Sequence, residues 1–108
     1  MSRRYTEEEL IAAVGPLTSD RLMHYLRLRI VTPAQTDDGP TYREIDVRRV
    51  SLLCELNDDL DLDEDALVIV MSLLDQLHGA RERLGKVMRA LGEEPGDVRR
   101  RVARHLTR

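Results

Sequence analysis

The sequence predicts an all-α protein: a head of short helices that carries a small hairpin, followed by one long helix suited to pairing. Three observations lead there. Apolar residues recur at spacings of three and four over much of the chain. The residues that favour extended backbone flank a single turn signal, Asp37-Asp38-Gly39-Pro40. A row from Leu67 to Leu91, apolar but for Arg81, keeps a three-four rhythm without a slip.

Taken in order, Thr6 is placed to cap a first helix, with Glu9 as the reciprocal half of a capping box. Leu10, Ile11, Ala13 and Val14 form its apolar side, and Gly15-Pro16 ends it. Thr18 or Ser19 caps a second helix bearing Leu22, Met23, Tyr25, Leu26 and Leu28. Two short helices across a glycine-containing turn read as a helix-turn-helix unit. Ile30-Val31-Thr32-Pro33 is expected to be extended and to pair with Thr41-Tyr42 as a hairpin wing whose tip lies near residues 36–40. A wing this small is marginal unless docked, so its β-prone residues should face the core.

Asp46 is the expected cap of a third helix carrying Val47, Val50, Leu53, Cys54 and Leu56, interrupted by the polar stretch 57–61. Asp63 is expected to cap the fourth, with Glu64 and Asp65 favourable in its first turn. Its seam is Leu67, Val70, Leu74, Leu77, Arg81, Leu84, Met88 and Leu91, the row expected to dimerise. A head this small cannot cover such a length, and an uncovered apolar seam is normally a binding surface. The competing arrangement has Gly79 or Gly85 break the helix and fold its second half back. Gly92 marks the end, and Asp97 is the expected cap of a final short helix with Val98, Val102, Ala103 and Leu106. The expected divisions are a head at 1–62, the pairing helix at 63–92, and a short basic helix or frayed tail at 93–108.

At 108 residues the chain has the length of one domain, and 42% hydrophobic with 34% charged residues suits a folded one. Aromatics make up 3%, so the core is expected to be aliphatic; stacking on single-stranded nucleic acid lacks its platforms. The single Cys54 suits a reducing compartment, no secretory signal follows Arg3-Arg4, and the apolar stretch 66–71 is too short to span a bilayer. A cytoplasmic location and no membrane partner are expected.

Charge is segregated. Positions 1–50 hold eight basic and eight acidic side chains, 51–65 hold seven acidic and no basic ones, and 81–108 hold nine basic and four acidic. Such faces suit different partners.

Catalytic machinery is not expected. His24, His78 and His105 have no partner at metal-ligand spacing, and one cysteine makes no thiolate cluster. Asp59, Asp61, Asp63 and Asp65 resemble part of a calcium loop without its central glycine or closing glutamate. The glycines stand singly, so no phosphate loop exists, and no cofactor is expected.

The order of elements resembles the MerR-type winged helix-turn-helix head. The residues that carry the likeness are Tyr5-Thr6, Leu10, Leu17, Leu22, Tyr25, Ile30-Val31 with Pro33, Tyr42-Arg43, and Asp46-Val47 with Leu53. Two departures stand out: Leu28-Arg29 lacks the usual glycine, and the wing has Asp37 and Asp38 where a DNA-binding member would place basic residues. The stretch from Ile30 to Pro33 through Asp46, Val50, Leu53, Glu55, Leu56, Leu60, Leu62 and Leu67 to Leu73-Leu74-Asp75, Leu77 and Leu84 resembles the chaperone-modulator family CbpM. That resemblance implies a MerR-like fold that binds the J-domain of a CbpA/DnaJ-like co-chaperone and inhibits both its co-chaperone and its DNA-binding activities.

On that reading Glu55, Asp58, Asp59, Asp61 and Asp65, with Leu60 and Leu62, are the expected partner-binding residues. Their negative potential complements a basic J-domain helix and repels phosphate, so direct nucleic-acid binding is not expected. Two alternatives stand beside it. A DNA-binding regulator would use Arg21, His24, Arg27 and Arg43. A structural dimerisation module would use the seam alone.

Overall fold

The computed structural model describes residues 3–107: five helices, a small three-stranded sheet, and one helix far longer than the rest. The chain forms two compact units, residues 1–71 and 72–108.

In the first unit, β1 (Arg4–Tyr5) leads into α1 (Glu7–Ala13). The Thr6 hydroxyl accepts from the Glu9 amide at 3.2 Å, and the Thr6 amide donates to the Glu9 carboxylate at 3.0 Å, closing the expected capping box. Seven residues cannot hold a helix alone. Leu10 is fully buried and supplies the tertiary anchor.

The helix α2 (Ser19–Arg27) starts at Thr18, whose hydroxyl accepts from the Arg21 amide at 3.2 Å. It ends in a paired carbonyl motif: the Ile30 amide donates to Tyr25 O at 3.2 Å and the Arg29 amide to Leu26 O at 3.1 Å. Arg29 sits between them at φ 60°, a left-handed position that glycine normally fills. Arg29 therefore holds a strained backbone conformation.

The wing differs from expectation in two ways. Its first strand, β2, is Ala34–Thr36, after Pro33 rather than before it, and pairs antiparallel with β3 (Gly39–Arg43). Ile30 and Val31 instead turn into the core, at 5% and 2% exposure, so burial replaces strand pairing as the use of their branched side chains. A third strand escaped the sequence reading: β1 pairs with β3 through Arg4↔Arg43 and Tyr5↔Tyr42, giving the order β1-β3-β2. Two residues carry no periodicity to read. At the tip, Gly39 takes φ +106° and accepts a 2.7 Å hydrogen bond from the Thr36 hydroxyl.

The core is not purely aliphatic. Tyr5, Tyr25 and Tyr42 are all buried among Leu10, Leu22, Val50, Leu53, Leu67 and Met71. Three aromatic rings are few, but each carries a large apolar area, and this small core takes all of them. The Tyr25 hydroxyl donates to Asn57 Oδ1 and the Tyr5 hydroxyl to Glu44 Oε2 at 2.7 Å.

The helix α3 (Glu44–Asp59) starts two residues before the expected cap. Asp46 lies inside the first turn, where its carboxylate accepts from the Arg43 amide at 2.8 Å. The acid still satisfies a helix-start amide, by reaching back instead of forward. The helix also runs into its expected break, reaching Asp59 with Leu60 at its C-cap, followed by Asp61 at φ 52°.

The helix α4 (Glu64–Gly92) is 29 residues long, about 43 Å at 1.5 Å per residue. Asp63 caps it, accepting from the Ala66 amide at 2.9 Å. Gly79 and Gly85 lie within it without a break. After a turn closed by the Glu93 and Glu94 amides, α5 (Gly96–Leu106) is a formed helix rather than a frayed tail. Its cap position is Pro95; Asp97, the expected cap, lies in the first turn. No helix among the described residues is long and apolar enough to cross a membrane.

Candidate interaction surfaces

The acidic run lies where α3 ends and α4 begins, so the fold turns a linear charge cluster into one shoulder of the first unit. Its acids have unequal tasks. Asp58 accepts from Arg21 with both oxygens: Nη1 donates to Oδ2 at 3.1 Å and Nη2 to Oδ1. This fork holds the Asp58 carboxyl below its ordinary range and raises the Arg21 guanidinium. Arg21 Nη1 also donates to Pro16 O at 3.3 Å. Glu64 lies 3.0 Å from His24 Nε2. Asp63 is the α4 cap, and Asp61 occupies the left-handed bend. Glu55, Asp59 and Asp65 are exposed. Among the expected apolar neighbours, Leu60 is 63% exposed, whereas Leu62 is half-buried. Asn57 braces the bend, its Nδ2 donating to Leu62 O at 3.0 Å.

The candidate DNA-contacting residues are affected by the same contacts. Arg21 and His24, both half-buried on α2, face Asp58 and Glu64. Arg43 lies beside Asp46, with Nε 3.8 Å from its carboxylate, while Arg27 is exposed. The sequence reading put cations and anions in rival sites; the fold joins two of each across α2 and the shoulder. Residues 21 and 58 are 37 positions apart, and no local pattern announces that pairing.

Cys54 is buried, and the Tyr25 hydroxyl approaches its Sγ at 4.0 Å. Burial is the main reason the Tyr25 hydroxyl is raised above its ordinary value, with Cys54 adding to it.

The seam of α4 divides at the unit boundary. Leu67 is 1% exposed, as is Met71 at 2%, so both are used in the first unit's core. Val70, Leu74 and Leu91 are half-buried and Arg81 is exposed. In the second unit Leu77, Leu84 and Met88 are exposed, and so are Leu73 and Val87, which lie outside the expected seam. At 3.6 residues per turn these five share one helix face. Their exposure runs from 44% at Leu77 to 61% at Val87, more apolar surface in one row than a monomeric protein normally leaves in water.

No family model matches the chain, and no curated protein and no solved structure matches it.

Proposed function

We propose that the chain is a non-catalytic modulator with a MerR-like winged head, which binds the J-domain of a CbpA/DnaJ-like co-chaperone in the cytoplasm and inhibits its activities. The observation that carries this reading is the pairing of Arg21 with Asp58 and the approach of His24 to Glu64. Helix α2 is where a winged helix-turn-helix protein would present cations to phosphate. Here two of those cations face carboxylates, and the adjacent shoulder keeps Glu55, Asp59 and Asp65 exposed beside Leu60. Such a surface favours a basic protein helix with an apolar edge and disfavours a nucleic-acid groove.

The exposed row Leu73, Leu77, Leu84, Val87 and Met88 supports pairing of α4 with a second copy. Leu67, already buried, adds nothing to it.

Charge reversal of Asp59→Lys with Asp65→Lys tests the reading. J-domain affinity should fall at least about tenfold, about 1.4 kcal/mol, with helicity unchanged. Unaltered affinity would overturn the shoulder as the site, and no association of the unaltered chain with a J-domain would overturn the function.

A further inference from the structure

We propose that α5 is a docking surface for the phosphate backbone of duplex nucleic acid, held by Arg99, Arg100, Arg101 and Arg104. The proposal is independent of the head's function. The unit formed by residues 72–108 carries nine basic and five acidic side chains, the reverse of the first unit's balance. In the first unit Arg3, Arg21, Arg43 and His24 each face a carboxylate. Among the described residues, no such ion pair involves any α5 arginine. Their charge is left for an external anion.

The helix arranges them for one. Val98 and Val102 lie on one side and are half-buried; by helical periodicity Arg100 and Arg104 turn the opposite way, while Arg99 and Arg101 flank the valines. Two adjoining shallow hollows open there and share Arg100 and Ala103; Arg104 completes one, Gly96 and Arg99 the other. Small residues floor both, so a tetrahedral oxyanion can approach the guanidinium forks. A Cβ at Gly96 would stand 3.1 Å from Arg100 Nη1, close enough that the guanidinium would have to shift by a few tenths of an ångström. Arg100 and Arg104 are spaced about 6 Å along the axis, which lets each take a different phosphate.

The chemistry selects among polyanions. The cations of α5 are all arginine, whose planar fork binds phosphate oxygens in pairs. A lipid surface would need a broad free apolar face; the two valines are half-covered, Leu106 is the one large apolar side chain of α5 that is freely exposed, and α5 has no Phe, Tyr or Trp. A single strand would need stacking rings, and no aromatic residue follows Tyr42. A duplex backbone needs neither. Asp97 in the first turn and Glu93-Glu94 before it oppose the arginines, which lowers the affinity for phosphate.

Fluorescence anisotropy with the full chain and a labelled random-sequence duplex tests this. With about four phosphates engaged, affinity should drop roughly 100-fold between about 50 and 200 mM salt. Arg100→Glu with Arg104→Glu should abolish binding while circular dichroism and J-domain affinity stay unchanged. Arg27→Ala with Arg43→Ala, in the head, should leave duplex binding intact. No duplex binding, binding lost through the head variant, binding retained by the tail variant, or equal uptake by phosphatidylserine vesicles would each overturn the proposal.

Discussion

The Arg21 guanidinium donates to both carboxylate oxygens of Asp58, tying the start of α2 to the end of α3. The contact takes a cation from the helix that would read DNA and an acid from the shoulder proposed to bind protein. Arg21→Ala releases that acid and removes a positive charge. J-domain affinity, measured by titration, should rise severalfold; a loss of affinity would mean that the paired geometry, not the negative potential, is recognised.

The same carboxylate gives a pH dependence. The Asp58 carboxyl is lowered by the hydrogen bonds from Arg21, and that of Glu9 by the Thr6 amide and hydroxyl of the capping box. A group lowered on folding stabilises the native state above its unfolded value and loses that contribution as pH falls through the folded one. Thermal stability should therefore hold down to about pH 4, near the ordinary carboxylate values, and decline below it. Asp58→Asn should flatten that decline; an identical slope in the variant would assign the acid sensitivity elsewhere.

Arg29 offers a backbone test. Its φ of 60° costs a residue with a side chain about 1–2 kcal/mol, and the two hydrogen bonds around it use backbone atoms alone. Arg29→Gly should raise stability by about 1 kcal/mol in urea denaturation. A loss would indicate that the Arg29 side chain contributes more than its backbone costs.

Two buried tyrosines should respond oppositely to loss of their hydroxyls. The Tyr25 hydroxyl donates to Asn57, so Tyr25→Phe should cost about 1 kcal/mol or more by orphaning that partner. The Tyr42 hydroxyl, buried with no hydrogen-bond partner among the described residues, gains nothing from being polar. Tyr42→Phe should be neutral or stabilising on the same denaturation curve.

The pairing proposal is tested at Leu77 and Leu84. The wild-type chain should have a dimer's mass in light scattering at micromolar concentration, and Leu77→Asp with Leu84→Asp should give a monomer of unchanged head stability. A dimer that survives both substitutions would place the interface off this face.

What the sequence made legible was local. The Thr6, Thr18 and Asp63 caps act within a few residues, and the α4 rhythm runs through Gly79 and Gly85 because 29 residues of helix outweigh about 1 kcal/mol per glycine. What it concealed was set across the fold. The β1 strand exists only through pairing with Tyr42 and Arg43, and Ile30-Val31 prefers burial to the strand its branching suggests. The acids from Glu55 to Asp65 read as one negative surface; only tertiary placement separates Asp58 and Glu64, near cations, from Glu55, Asp59 and Asp65.

The most direct test of the protein-binding reading is ATP hydrolysis by a DnaK-type chaperone stimulated by its CbpA-like J-domain protein. Added in slight excess over the J-domain, the chain should suppress the stimulated rate toward the basal one, and Asp59→Lys with Asp65→Lys should restore it. A stimulated rate untouched at every concentration of the chain would contradict the reading.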